Sequence, residues 1–285
     1  MSRGKMRAGA QPLLMAADPI NRGILRTVLE RPLEIAPGHR YEVSDGGREA
    51  LFVAFIVERW LQDAPDGPLP FDSRETEQAV VALAEGWSAT VTHVLARGPH
   101  TFEELARETE DLSPEELQCQ LAAMRNTGLV ESLTGDAGGT IYAATEWLRT
   151  GIAPLIASAR LERNNPRENM APIDNLDVEA GFMLSLSQVE LRKELTGVCR
   201  LGLNLDEEEC SPMTGVTAEI DQGLIVSCEP GLDMGANAWA CGTASQWLDT
   251  VIEPDADTVR TGGDRWLTRT LLRELHEALF GVRVV

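Results

Sequence analysis

Three observations predict an α+β fold for this sequence, with a helix-rich part followed by a part that mixes helices and strands. Up to residue 163, apolar residues recur mostly at helical spacing. From residue 198 onward, apolar and polar residues alternate in several short runs, which is typical of strands. A polar stretch flanked by prolines, 164–172, separates the two parts. The 285 residues have room for domains over 1–70, 71–163 and 172–285.

The helix-rich part contains an internal repeat whose two halves match at different offsets. Residues 21–35 align with residues 88–102 at an offset of 67, whereas the residues from Tyr41 align with those from Tyr142 at an offset of 101. The first copy therefore lacks 34 residues that the second copy has between its halves. Two explanations stay open: a true deletion, or a stretch after Ile35 that the given sequence omits.

The second copy fills the extra length with two helices and a hairpin. A helix is predicted over 102–107, and Ser113 caps a second one that starts at Pro114 and runs to Arg125. Strands follow at 128–131 and 141–142, joined by a turn at 136–139. Long apolar helices are predicted near 45–64 in the first copy and, from the cap Thr145, over 145–163 in the second.

This order of elements, together with the phrase Met124-Arg125-Asn126-Thr127-Gly128-Leu129-Val130-Glu131, resembles the winged helix-turn-helix of bacterial transcription regulators of the MarR/HxlR type. The resemblance covers about 1–163 as two tandem modules, of which the first is incomplete. It implies a regulator that binds double-stranded DNA. It also implies a homodimer formed through the long helices near 45–64 and 145–163.

Polar and basic side chains on both modules are candidates for DNA contact under this resemblance. They are Arg22, Arg26 and Arg40 in the first module, and Gln118, Gln120 and Arg125 at positions predicted to be exposed on the recognition-type helix. Glu115 and Glu116 on the same helix would face phosphates. The formal net charge of −20 repels DNA at long range, so any contact depends on local basic clusters.

The last 114 residues, 172–285, are predicted to form a separate α+β domain. A helix is expected over 177–194, and Asp264 caps a final amphipathic helix. Strands are predicted over 198–203, 216–220, 224–228, 239–242 and 258–262. With the phrases Gly242-Thr243…Trp247 and Gly262-Gly263-Asp264, this order resembles the sterol carrier protein-like fold, an antiparallel sheet with helices on one side.

Domains of that fold often enclose an apolar cavity, so the resemblance implies a small hydrophobic effector and a sensing or assembly role. The candidate ligand-binding residues are Phe182, Trp239, Trp247 and Trp266. The alternative is that these large aromatic side chains form the core, which is their usual place in a globular domain.

Several function classes lack support in the sequence. The five cysteines are scattered and indicate reduced thiols, and no spacing typical of a metal site, a phosphate-binding loop or a catalytic nucleophile occurs. We therefore expect no enzyme, cofactor or metal. No apolar run is long enough for a membrane helix, which predicts a cytoplasmic protein.

The leading hypothesis is a DNA-binding transcription regulator. The alternatives are an adaptor that kept the winged-helix shape without binding DNA, and a protein that binds small hydrophobic ligands.

Overall fold

The structure is a computed structural model that describes residues 7–17, 45–109, 112–135, 138–166, 173–204 and 214–281. Within these residues the fold is α+β and divides into two compact units. The first unit takes its residues from 1–91 and 101–172, and the second from 92–100 and 173–285. Residues 92–100, which the sequence analysis included in the second module, thus cluster with the C-terminal part of the chain.

The first unit and its connection to the second contain the following elements, named in chain order. The helices are α1 (Ala10–Ala17), α2 (Asp45–Gln62), α3 (Arg74–Ser88), α4 (Val91–Ala96), α5 (Phe102–Glu108), α6 (Pro114–Asn126), α7 (Glu146–Thr150) and α8 (Ile152–Asn164). The strands are β1 (His100–Thr101), β2 (Val130–Thr134) and β3 (Thr140–Ala144). The helices predicted over 102–107 and from Pro114 to Arg125, the hairpin and the caps at Ser113 and Thr145 are confirmed.

The core of the first unit lies between α1, α2, α3 and α8. Helix α1 packs against α3 and α8, and α2 packs against α8. Leu13, Leu83 and Ile152 are fully buried there, with 0% of each exposed. The buried carboxylate of Glu162 accepts a hydrogen bond of 2.5 Å from the backbone N–H of Gly9, which ties the start of α1 to α8. The two long helices therefore pack against each other within one chain.

The prediction of one continuous helix over 145–163 is wrong. The chain forms two helices there, which meet at Gly151. Pro154 explains the break. A proline lacks the N–H that would bond to the carbonyl four residues earlier, and its ring clashes with that carbonyl. The helix that begins at Glu146 therefore ends at Thr150, and Pro154 lies in the first turn of the next helix, where its missing N–H costs little.

In the second unit, the elements after residue 172 are α9 (Asn175–Ser185), β4 (Gly197–Asn204), β5 (Thr214–Asp221), β6 (Leu224–Pro230), β7 (Ala238–Thr243), α10 (Ala244–Ile252), β8 (Arg260–Gly263) and α11 (Arg265–Phe280). The strands confirm the five predicted ones. Among the described residues they form one five-stranded sheet of order β6-β5-β4-β7-β8. Asp264 caps α11, as predicted, by accepting the N–H groups of Trp266 and Leu267 at 3.1 Å each.

The sheet is mixed, so the prediction of an antiparallel sheet is wrong. Strand β7 runs parallel to β4, whereas the other neighbours are antiparallel. The cause is the seven-residue connection 231–237, which crosses the sheet from β6 to the far side of β4. Along its path the N–H of Asp233 donates to Thr217 Oγ1 at 2.9 Å, and Asn237 Oδ1 accepts from the N–H of Val198 at 2.7 Å.

The core of the second unit lies on the sheet face opposite this crossing. Alternate side chains of the central strands are fully buried there, among them Leu201, Val216 and Ala240, each 0% exposed. Helices α9, α10 and α11 pack against these strands. On α11, Leu267, Leu271, Leu275 and Leu279 face the core as predicted, with at most 5% exposed.

The helix predicted over 177–194 is shorter in the structure, since α9 ends at Ser185 and a single 3-10 turn, Leu186–Gln188, follows. Two serine hydroxyls compete with the backbone at this end. Ser185 Oγ donates to Gly181 O at 2.6 Å, and Ser187 Oγ donates to Leu184 O at 3.0 Å. Beyond the turn the chain becomes extended, and the N–H of Leu191 donates to Gly223 O at 2.8 Å.

Some expectations lie outside the described residues. These are the first copy of the repeat at 21–35, the junction near Ile35 where residues were expected to be missing, and the acidic run at 206–209. None of the described helices has both the length and the apolar composition that crossing a membrane requires.

Candidate functional site

Helix α6 is the element on which the candidate site is built. Ser113 caps it, and Pro114 occupies the first helical position, where the missing N–H costs nothing. One side packs on α3 and buries Leu117, Leu121 and Met124, which are at most 2% exposed. The remaining positions point away from this packing. The outward face consists of Glu115, Glu116, Gln118, Cys119, Ala122, Arg125 and Asn126, all of them exposed.

Two of the three predicted DNA-contacting residues on α6 lie on its outward face. Gln118 and Arg125 are exposed, as the periodicity predicts. Gln120 differs, because it is half-buried and its amide Nε2 donates to Ala82 O on α3 at 3.1 Å. With 3.6 residues per turn, position 120 lies beside the buried Leu117 and Leu121. Its amide therefore stabilises the packing of α6 on α3 and does not face outward.

Glu104 and Glu116, the third residues of α5 and α6, are turned back toward the starts of their own helices. Glu104 Oε2 accepts the N–H of Thr101 at 2.8 Å, and Glu116 Oε2 accepts the N–H of Ser113 at 3.0 Å. The hydrogen bonds from the Ser113 backbone and hydroxyl lower the pKa of Glu116. The cap N–H groups of Thr101 and Ser113 are thus bound by carboxylates of the chain itself and are not open to an external phosphate.

A β-hairpin follows α6 and is tied to its C-terminal end. Strands β2 and β3 pair antiparallel, with Leu133 opposite Ile141, and 45% of Leu133 is exposed. Thr145 Oγ1, beyond the hairpin, donates to Gly128 O at 2.8 Å and lies 2.9 Å from Leu129 O. Gly128 has φ +78°, a conformation that favours glycine, and makes the turn out of α6. The hairpin is therefore held in a fixed position next to α6.

The four aromatic residues predicted to bind a ligand do not line one site. Phe182 and Trp247 are buried and pack edge-to-face, with ring centroids 4.8 Å apart, and Trp247 Nε1–H donates to Gly202 O at 2.9 Å. Trp239 is half-buried on β7, between inward-facing alanines, and its indole lies against Gly262 on the opposite sheet face. Trp266 is 57% exposed on α11. Phe182 and Trp247 therefore pack against each other as residues of the core.

Two further points of the sequence analysis concern the arginines of the first module and a metal site. Arg22, Arg26 and Arg40 lie outside the described residues. Within the part of the chain that is described, no three His, Cys, Asp or Glu side chains come close enough to hold a metal ion.

The reactivity of the cysteines tests which of these side chains are accessible to solvent. We expect iodoacetamide at about pH 8 to modify Cys119 on the outward face of α6 quickly and to spare Cys199 and Cys228 in the folded protein, because the thiolate is the nucleophile. Burial raises the pKa of Cys199 and that of Cys228 to about 12. Mass spectrometry of tryptic peptides reads the result, with the urea-unfolded chain as control. Equal modification of Cys119 and Cys228 in the folded protein would contradict it.

Comparison with known protein families, with curated proteins and with solved structures finds no match to this chain.

Proposed function

We propose that this protein is a cytoplasmic, homodimeric transcription regulator that binds double-stranded DNA through a winged helix-turn-helix module built from α3, α5, α6, β2 and β3. The observation that carries the proposal is the outward face of α6, which the described part of its own unit leaves exposed beside a fixed hairpin. An exposed helix followed by a hairpin is the arrangement that a winged-helix protein inserts into the major groove.

The exposed side chains of α6 have the chemistry for reading bases. A glutamine amide such as that of Gln118 matches adenine N6 and N7, and the guanidinium of Arg125 matches guanine O6 and N7 or a phosphate. The carboxylates of Glu104 and Glu116 each accept the N–H of their own helix cap, Thr101 and Ser113, and so are held by their own helices. The second unit is proposed to be a sterol carrier-like domain with a sensing or assembly role.

The test is selection of genomic fragments by the purified protein, followed by binding titrations of the selected duplex. We expect Gln118→Ala and Arg125→Ala each to weaken binding by about 1–3 kcal/mol, roughly 5- to 150-fold, since each removes a base contact. Gln120→Ala is the matched control, because the same residue type on the same helix faces α3. If no fragment is selected, or if both outward variants bind like the wild type, the protein does not read DNA through α6.

A second candidate function is favoured by the charge of the same surface. Glu115 is exposed on the outward face, Glu103 and Glu108 are exposed on α5, and the whole chain carries a formal charge of −20. A surface of this sign suits a basic protein partner better than a phosphate backbone. If the protein is an adaptor that binds a basic protein and not DNA, Arg125→Ala should leave the amount of DNA bound by the purified protein unchanged. Glu115→Gln should then weaken binding of the basic partner.

A further inference from the structure

The solvent face of α11 carries three arginines that the sequence analysis did not single out. Arg265, Arg269 and Arg273 follow one another at intervals of four residues, so they lie in a row along one face. All three are exposed, and the side chains of Arg269 and Arg273 are each 63% exposed. The opposite side buries Leu267, Leu271, Leu275 and Leu279. We call Arg265, Arg269 and Arg273 the arginine stripe.

The arginine stripe is unfavourable for the helix that bears it. Like charges four residues apart repel each other on a helix surface, and the stripe contains two such pairs in succession. Arg265 also occupies the first helical position, at the positive end of the helix dipole, which is unfavourable for a cation; the carboxylate of the cap residue Asp264 lies at the same end. Residues that disagree with the local preferences of their element mark places where function has been favoured over stability.

Two exposed aspartates form weak ion pairs with the arginine stripe. Arg273 Nη2 lies 3.0 Å from Asp255 Oδ1, and Arg269 Nη2 lies 3.7 Å from Asp257 Oδ1. The two aspartates are 83% and 79% exposed, and exposed pairs of this kind contribute little to stability. Arg265 has no ion pair with any residue in the described ranges. An external anion can therefore replace the aspartates at small cost.

We propose that the arginine stripe binds the phosphate backbone of double-stranded DNA. This inference rests on the proposed function and adds to it a sequence-independent contact on the second unit. Four residues advance a helix by about 6 Å, so the stripe presents three guanidinium groups over about 12 Å. Duplex DNA carries one charge per about 1.7 Å of axis, which offers several phosphates over that length. Arginine also matches phosphate geometry with paired hydrogen bonds.

Regular spacing favours DNA over an acidic protein segment as the partner. Three identical cations at regular intervals, in a row that turns by about 40° at each step, match an anion whose charges repeat at regular intervals, as phosphates do on a duplex. In a chain with a net charge of −20, such a row is also the kind of local basic cluster on which DNA contact depends. An acidic peptide as the actual partner is kept as one outcome of the test.

The test measures binding of a random-sequence duplex of about 30 base pairs across about 50–200 mM salt, using the full chain. Arg269→Gln/Arg273→Gln should reduce the slope of log affinity against log salt by about 2, since each lost phosphate contact removes about 0.9. Arg192→Gln/Lys193→Gln is the matched control, because it removes the same charge from exposed residues elsewhere on the second unit. Its slope should stay within about 0.5 of the wild type.

A variant with the opposite expected effect removes the competing carboxylates. Asp255→Asn/Asp257→Asn should strengthen duplex binding several-fold at low salt. Asparagine also tolerates the φ of +50° that Asp257 adopts, so the loop should keep its shape. Trp266, exposed beside Arg265, supplies a local signal: duplex binding should change the tryptophan emission of the wild type, and Trp266→Phe should remove that change.

The outcomes separate this inference from the proposed function. The inference is overturned if the Arg269/Arg273 variant keeps the wild-type slope, or if a polyglutamate peptide binds the stripe and the duplex does not. The proposed function fails if no genomic fragment is selected and the α6 variants bind like the wild type. If the salt slope still depends on Arg269 and Arg273 in that case, the phosphate contact of the arginine stripe is nevertheless supported.

Discussion

Replacing Trp147 by alanine is expected to lower the free energy of unfolding of the first unit by about 3–5 kcal/mol, the cost of removing a large buried aromatic side chain. Trp147 and Trp60 are each 3% exposed, and their rings stack with centroids 4.5 Å apart and an angle of 11° between the planes. Each indole N–H donates to the backbone carbonyl of the other residue, both at 3.0 Å. The alanine variant loses the stacking and the indole hydrogen bond, whereas the carbonyl of Trp60 keeps the backbone N–H of Asp63, at 3.2 Å.

Urea denaturation followed by circular dichroism measures this effect. Trp147→Phe keeps an aromatic ring but removes the N–H, so it should cost about 0.5–1.5 kcal/mol for the lost hydrogen bond, since the Trp60 carbonyl keeps the N–H of Asp63. Trp266→Phe is the control at an exposed tryptophan and should stay within about 0.5 kcal/mol of the wild type. A loss below about 1 kcal/mol in Trp147→Ala would show that the stacked pair does not stabilise the unit.

The elements that the sequence predicts correctly are those set by local signals. Ser113, Pro114 and Glu116 together specify the start of α6, and the alternation at 216–220 and 224–228 specifies the strands that became β5 and β6. On the candidate site, the same periodicity places Gln118 and Arg125 on the exposed face of α6. These features depend on residues within a few positions of each other.

The features that the sequence did not reveal depend on contacts between distant residues or on a single overriding position. The exposure of Gln120 is decided by the carbonyl of Ala82 on another helix. The parallel placement of β7 is decided by a crossing connection anchored at Thr217 and Asn237, which no alternation pattern encodes. The break at Gly151 did have a local signal, Pro154, whose effect on the preceding turn outweighs the apolar periodicity.

The assignment of residues 92–100 to the second unit also follows from a long-range contact. His93 Nε2 lies 2.9 Å from Asp177 Oδ1, although 84 positions separate the two residues in the chain. His93 is 9% exposed and Asp177 is 4% exposed. The second oxygen of Asp177 accepts the N–H of Asp174 at 3.1 Å, as part of the capping box that begins α9. The carboxylate thus connects α4 to the start of α9.

Breaking this pair is expected to destabilise the second unit strongly. Asp177→Ala should cost about 3–5 kcal/mol, because removing one partner of a buried pair leaves the other without its compensating group. The loss of the hydrogen bond from the Asp174 N–H to the Asp177 carboxylate, one half of the capping box, adds to this cost. Asp177→Asn keeps the shape and a hydrogen-bonding oxygen, and should cost less. Trp247, buried in the same unit, reports unfolding by fluorescence during urea titration.

A double-mutant cycle with His93→Ala isolates the pair itself. The two substitutions should be non-additive, with a coupling of about 0.5–3 kcal/mol, whereas additivity within about 0.3–0.5 kcal/mol would mean that the 2.9 Å contact does not hold α4 and α9 together. A fragment that starts at residue 173 also lacks His93. If His93 stabilises the unit as we expect, that fragment should be at least as unstable as the full chain carrying His93→Ala, because both lack the 2.9 Å contact between His93 and Asp177.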